Sequence, residues 1–310
     1  MKKMRYIPML ALSALLIGCN LFGGGMKAPT FAKEGEEVSK YSTFIQQFEE
    51  AYRDSELYDT DAKLGDRILK SNSSQSSTEV LKRGKKEVRK TESTTTMKGE
   101  AQFDYDNLAG KTTSENKSTE KRSDEESSYS STSTSKQEQY YQYNNKNLVL
   151  ANTKTKEYRI VASSVSNKEN YFDDIVRSSL SSSVYVFSAY LPSSDSAGKD
   201  YLFYNNNDKV FTYSLNKEDE DSKSSSYYTT VTKTKLKVQI DLTDKKQAVR
   251  VSYENKVEYT YKKDSGSYVD GDVVTEEDKI YVEYTATGKE LTVKEVNLDD
   301  YELINSSNIY

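Results

Sequence analysis

Strict alternation of apolar and polar side chains is the dominant pattern of this chain. Leu236, Val238, Ile240 and Leu242 alternate with Lys237, Gln239 and Asp241, the period-two signature of a strand with one buried face. A turn at 243–246 follows, and then Val249, Val251, Tyr253, Val257, Tyr259 and Tyr261 share one parity. Beyond a turn at Gly271-Asp272, Ile280, Val282 and Tyr284 alternate with Tyr281 and Glu283. Two shorter pairs read as hairpins. One joins 140–143 to 148–151 around Asn144-Asn145-Lys146-Asn147, the other 201–204 to 210–213 around Asn205-Asn206-Asn207-Asp208. Asparagine suits such turns because it tolerates positive φ.

In two places the period becomes helical. Tyr41, Phe44, Ile45, Phe48 and Tyr52 form a stripe that predicts a helix over 39–53, packed as a cover on the sheet. Tyr171, Phe172, Ile175, Val176 and Leu180 predict a second over 170–181. Asn170 would be its N-cap, and Asp173 and Asp174 would lie in its first turn, where the helix dipole favours carboxylates. This helix falls between strand-like runs at 158–161 and 184–191. A third helix is expected over 61–70.

The oddest stretch is 111–136, where fourteen of 26 residues are Ser or Thr and the only aromatic is Tyr129. Its low apolar content predicts a disordered arm over 111–128. Alternation on both sides predicts instead an exposed hairpin. Thr91, Ser93, Thr95, Met97, Ala101, Phe103 and Tyr105 hold one parity before it, and Ser131, Ser133, Ser135, Gln137, Gln139, Tyr141 and Tyr143 another after it. Likewise Ser226, Tyr228, Thr230, Thr232 and Thr234 lead into Leu236 and Val238 on one face. The favoured reading is a set of long antiparallel strands, apolar at one end and paved with hydroxyls at the other.

Composition narrows the chemistry. The chain has no His, no Trp and one Cys, which removes the commonest general base, the commonest metal ligand and any disulfide framework. Serine nucleophiles lack a base, and no Gly-x-Ser-x-Gly elbow occurs. A pairing of Ser224 with Lys223 or Lys233 has nothing to set it apart from surface composition. Asp173-Asp174, Asp299-Asp300, Glu276-Glu277-Asp278 and Glu218-Asp219-Glu220-Asp221 are acidic groupings among 49 acidic residues, and solvated faces are their default reading. The expectation is therefore a protein that is not an enzyme and takes no cofactor or metal. Its negative charge argues against a nucleic-acid partner.

At the N-terminus, Lys2, Lys3 and Arg5 precede an apolar run that ends at Leu16-Ile17-Gly18-Cys19. The run is too short to span a bilayer and reads as a secretory signal. Its end resembles the lipobox of bacterial lipoproteins, and that resemblance implies cleavage before Cys19 and diacylglyceryl and palmitate-type acylation at its sulfur. Loss of three basic residues with 1–18 would take the formal charge from −5 to −8. The organisation read here is a signal over 1–18, a lipidated flexible tether over 19–36, one β-rich domain over 37–303 and a tail over 304–310.

The order of a lipobox, an amphipathic helix, a many-stranded antiparallel sheet and a helix inserted mid-sheet is similar to LolA-like and LppX-like envelope proteins, as are aromatic runs such as Tyr140-Tyr141-Gln142-Tyr143 before Leu148-Val149-Leu150. The resemblance covers roughly 38–300. It implies an α+β fold with a curved antiparallel β-sheet, half-barrel-like and partly covered by two or three short helices. It also implies carriage of a lipid-like amphiphile in the concave face. The single face shared along 226–242 makes Leu236, Val238, Ile240 and Tyr228 the candidate contacts for such a ligand. Two functions stay open: such ligand binding at an extracytoplasmic membrane surface, and a structural or accessory role toward an envelope protein partner. An apolar groove would favour the first, and a filled or hydroxyl-paved face the second.

Overall fold

The computed structural model describes residues 27–55, 64–191, 200–221, 226–243 and 246–304. Cys19, the expected signal over 1–18, residues 20–26 of the expected tether and nearly all of the expected tail lie outside these. The chain opens with β1 (Glu36–Glu37) and α1 (Tyr41–Arg53), then runs through β2 (Arg67–Arg83), β3 (Lys86–Asp104), β4 (Ala109–Asp124), β5 (Ser128–Asn144), β6 (Asn147–Asn152) and β7 (Glu157–Ala162). After α2 (Lys168–Ala189) come β8 (Asp200–Asn205), β9 (Val210–Asp221), β10 (Tyr228–Thr243), β11 (Lys246–Tyr261), β12 (Asp272–Gly288) and β13 (Glu302–Leu303).

All thirteen strands form one sheet in the order β1-β8-β9-β10-β11-β12-β2-β3-β4-β5-β6-β7-β13. It is open and curved, an α+β half-barrel-like fold with two helices. Two antiparallel meanders, β2–β7 and β8–β12, stand side by side and join where β12 pairs with β2. Their connection, α2, must cross from β7 near one edge to β8 near the other. Its 22 residues span about 33 Å at helical rise, so it lies across the concave face.

That crossing makes the core. Phe172, Val176, Leu180 and Phe187 of α2 and Phe44, Phe48 and Ala51 of α1 are buried against Phe103, Phe211, Val238, Ile240, Val249, Val251 and Tyr284 of the sheet. The rings interlock: Phe44 meets Phe211 edge-on at 5.6 Å and Phe48 meets Phe187 at a tilt at 5.1 Å between centroids. The buried Tyr284 hydroxyl donates to the carbonyl of Ser179 on α2 at 3.2 Å. A second small cluster, Tyr141, Leu148 and Leu150, holds the β5–β6 hairpin under Tyr171 and Ile175.

Several expectations are revised. Residues 184–191 are not a strand: α2 runs on to Ala189, because Leu180, Ser183 and Phe187 extend the buried helical stripe. Its N-cap is Asn167, whose side chain accepts from the Asn170 N–H at 3.0 Å. Glu169, rather than Asp173 or Asp174, occupies the first turn. Residues 67–70 open β2 and so form no third helix. The stretch 111–128 is ordered as β4 and the turn into β5, with Asp124 accepting from the Glu126 and Ser127 N–H groups at 3.1 and 2.8 Å. In the β5–β6 turn Asn145 takes φ 54°, as its residue type suggests, but in the β8–β9 turn the positive φ falls on Lys209.

The tether also differs from its expectation, in that residues 27–36 are docked on the sheet. Ala32 is hydrogen-bonded to Gln239, and Lys237 pairs with Glu34 and sits 4.7 Å over the Phe31 ring. At Gly35 a β-carbon would lie 2.0 Å from the Tyr204 carbonyl oxygen, so only glycine permits this approach. β1 then pairs with Phe203 and Tyr204 of β8, and β13 with Glu157 and Tyr158 of β7, covering part of the backbone edge at each margin of the sheet.

Candidate functional site

The long strands outrun the helices. On the concave face Leu236 faces Tyr253, which faces Ile280, and Val238 faces Val251, which faces Val282. Leu215, Leu236 and Val282 are the strand residues that fringe the core cluster toward this end. The next row reads Thr234, Asn255, Asp278, Ser77, Ser93, Glu120 and Ser131 from β10 to β5. The row beyond it reads Thr232, Val257, Glu276, Glu79, Thr91, Arg122 and Tyr129. Thr234 donates to the Asn255 side-chain oxygen at 3.0 Å. These rows are hydroxyl- and charge-lined because period-two Ser and Thr fill the positions that aliphatic residues fill under the helices.

At the far tip a tyrosine group closes the trough. Tyr261 stacks on Tyr268 at 4.5 Å, and Tyr228 meets the Tyr259 ring edge-on at 5.4 Å. The loop between β11 and β12 brings Tyr268 back over the sheet, using φ 85° at Gly271, a conformation that glycine adopts freely. Asp272 is fully buried and receives two bonds from the Arg83 guanidinium at 3.0 and 2.9 Å. It also accepts from the Val269 N–H at 3.0 Å. The hydrogen bond from Arg83 holds its carboxyl below the usual range.

Between tip and core, Glu276 lies directly opposite Glu79, a like-charge pairing that sheets ordinarily avoid. Arg89 pairs with Glu79 and also donates to the Tyr268 hydroxyl, while Glu276 accepts from Tyr259 at 3.4 Å. Burial, and then the charge of Glu79, raise the Glu276 carboxyl above its usual value. This arrangement can bind polar groups. It contains no nucleophile–base pair. Asp173, in another acidic pair, accepts from Tyr105 at 2.9 Å and pairs with Arg177, which fastens α2 to the β3–β4 turn. Among the described residues no three acidic side chains gather as a metal-holding group.

The candidate contacts divide between the two regions. Val238 and Ile240 are 0% exposed within the packed core and Leu236 borders it. Tyr228 lies on the same face at the tip, about 27 Å along the strand from Leu236. The structure thus aligns the four, but α1 and α2 fill the apolar half rather than leaving a groove. Ser224 and Lys223 lie outside the described residues, and Lys233 pairs with Glu218.

On the convex face the bare half carries alternating ion pairs, among them Lys136 with Glu115 and Lys279 with Glu277. Two features here were not read from sequence: the docked segment under Gln239, and a C-terminal run that Gln142 binds at the Val296 backbone. Their only sequence signal is an amide residue at a sheet position otherwise expected to be charged or apolar.

No known protein family matches this chain, and no curated protein matches it. Among solved structures, Pseudomonas aeruginosa OccK7 (OpdD) overlaps 71% of this chain and 98% of its own at 6% identity and TM-score 0.21. A Pseudomonas aeruginosa FadL homologue overlaps 72% and 90% at 6% identity and TM-score 0.14.

Proposed function

We propose that this protein is a non-catalytic lipoprotein of a bacterial cell envelope, anchored through Cys19, whose bare half-sheet binds a protein partner. The observation that carries this reading is the division of the concave face. Its aliphatic half is filled by α1 and α2, with Val238 and Ile240 sealed beneath them, so an acyl chain has no place there. Its other half is a single layer lined mainly by hydroxyl, amide and charged side chains, most of them half-buried or exposed, with Ser93 and Thr95 buried between neighbouring strands and Leu81 and Val274 buried at the tyrosine tip.

The docked N-terminal segment supports a direction for that surface. Residues 20–26 are all that separate Cys19 from Lys27, and so short a run reaches at most about 25 Å when extended. The segment lies at the helix-covered end, where Ala32 meets Gln239. An anchor there would set the covered end toward the membrane and project the polar half outward.

Native mass spectrometry and cross-linking of the protein from its own membranes test the reading. Cross-links to a specific protein from residues of 111–137 or 226–234, with no stoichiometric lipid carried besides the anchor, are expected. A stoichiometric copurifying amphiphile and no protein cross-link would overturn it in favour of ligand carriage.

A further inference from the structure

We propose that the open edge of β5 pairs with the same edge of a second copy of this chain, fusing two sheets across a two-fold axis. This rests on the interaction reading above and names one partner of that surface. β5 pairs with β4 from Ser128 to Tyr141, whereas β6 meets its other side only from Gln139 onward. Over 128–137 the outward backbone groups therefore face no strand among the described residues, about 33 Å of open edge.

Open edges are liabilities that proteins blunt with cover, charge or proline. The other edges here are short or charged: β1 pairs with Phe203 and Tyr204 of the six-residue β8, β13 with Glu157 and Tyr158 of the six-residue β7, leaving at most four residues open on each, and the open end of β9 carries Lys217-Glu218-Asp219-Glu220-Asp221. The β5 run, SYSSTSTSKQ, has one charge and no proline, and that charge, Lys136, already pairs with Glu115 at 3.2 Å.

Charge also selects the occupant. Two β9 edges would set acidic rows side by side, and β9 against β5 would leave those charges unmatched by a neutral strand. Two β5 edges oppose no like charges. A foreign peptide is selected in strand addition by pockets for alternate side chains, and small hydroxyls supply none. A two-fold axis normal to the sheet keeps each face on its own side, so one residue must face its own copy. Centred on Ser133, the run sets Thr132 opposite Thr134, Ser131 opposite Ser135, Ser130 opposite Lys136, and Tyr129 opposite Gln137. Hydroxyl pairs of this kind hydrogen-bond across strands, and Tyr129, 58% exposed, gains cover. One strand pair buries less than the roughly 1,200 Å² of a standard interface, so the pairing draws on the local concentration that a shared membrane supplies.

The test is disulfide trapping of the full chain in its membranes, with single cysteines in place of Ser131, Ser133, Ser135 and, as a control, Asn216. The parent chain, whose only cysteine is Cys19, sets the baseline. Copies facing at Ser133 lie within disulfide reach, whereas residues two positions away are about 13 Å from their own copies. A dimer yield peaking at Ser133, several-fold lower at Ser131 and Ser135 and at baseline for Asn216, is expected. In addition, Thr132→Pro and Ser133→Pro are compared: Glu138 turns its carbonyl outward to the Thr153 N–H at 3.2 Å, so the even positions of β5 face outward and Thr132→Pro, not Ser133→Pro, removes an outward N–H. Thr132→Pro should abolish the dimer while melting stays unchanged. A flat yield across the run overturns the pairing. If the same cysteines then trap a different protein, the interaction reading stands without it; if they trap nothing, both fall.

Discussion

Gln239 grips the backbone of Ala32 at two points: its side-chain oxygen accepts from the Ala32 N–H at 2.7 Å, and its amide donates to the Ala32 carbonyl at 3.1 Å. The same amide donates to Thr212 at 2.9 Å, so this buried side chain is fully engaged. Gln142 does the same for Val296, at 2.8 and 2.9 Å. Each glutamine therefore fastens a segment to the sheet a few residues before that segment pairs with an edge strand.

Gln239→Leu should release the N-terminal segment while leaving the core intact. Losing the pair while leaving Ala32 and Thr212 groups unmatched should cost about 1–3 kcal/mol. Urea denaturation reads that cost, and faster tryptic cleavage after Lys33 reads the release. Wild-type cleavage kinetics in the variant would show that the segment is not held by this contact.

Phe44→Asp should destabilise far more. Phe44 is fully buried against Phe211, and a carboxylate there has no partner; the milder Phe44→Ala alone is expected to cost about 3–5 kcal/mol. Retention of the wild-type urea midpoint in either variant would remove α1 from the core.

Asp272 predicts an acid limb. Its carboxyl is held low by Arg83, so the folded state favours the ionised form. That stability is present above the ordinary Asp value of about 3.9 and is lost as pH falls through the lower folded value. Asp272→Asn should therefore lower the melting temperature at pH 7 and narrow its difference from wild type in strong acid. A pH-independent difference would mean that packing, not the ion pair, holds the tip.

Glu276 predicts the opposite sign. Its carboxyl is raised by burial and by Glu79 across the strand pair, so ionisation at neutral pH opposes folding. Glu276→Gln should stabilise the protein at pH 7 by up to about 1 kcal/mol, since solvent screens much of the repulsion. The gain should vanish below the ordinary Glu value of about 4.3. Destabilisation at pH 7 would show that the Tyr259 contact outweighs the repulsion.

Cys19→Ala should leave an unprocessed chain that no longer partitions into detergent through acyl chains, because two acyl chains give stable anchoring. Intact mass of the wild-type mature protein carrying a free Cys19 thiol would refute the anchor.

The sheet was legible in sequence because pleating is local: successive side chains point to opposite faces whatever lies far along the chain. The shared face of Leu236, Val238 and Ile240, its continuation into Thr230 and Tyr228, and the helical stripe of Phe44 and Phe48 all follow from spacing alone. Even the Ser/Thr arm at 111–136 kept its alternation, and it is strand. Residues 184–191 read as strand because valines alternating with aromatics satisfy both periods over a short span; Phe187, on the same buried stripe as Phe172, Val176 and Leu180, makes 184–189 the last turns of α2. Three matters belonged to tertiary structure alone. One is that α2 crosses the concave face and converts Val238 and Ile240 from groove lining into core. Another is that Gln239 and Gln142 each find a backbone segment remote in sequence. The last is that β6 stops short and leaves the Ser133 edge open. Each depends on which segments meet in space, and the burial and hydrogen-bond free energies that bring them together have no periodicity for the chain to display.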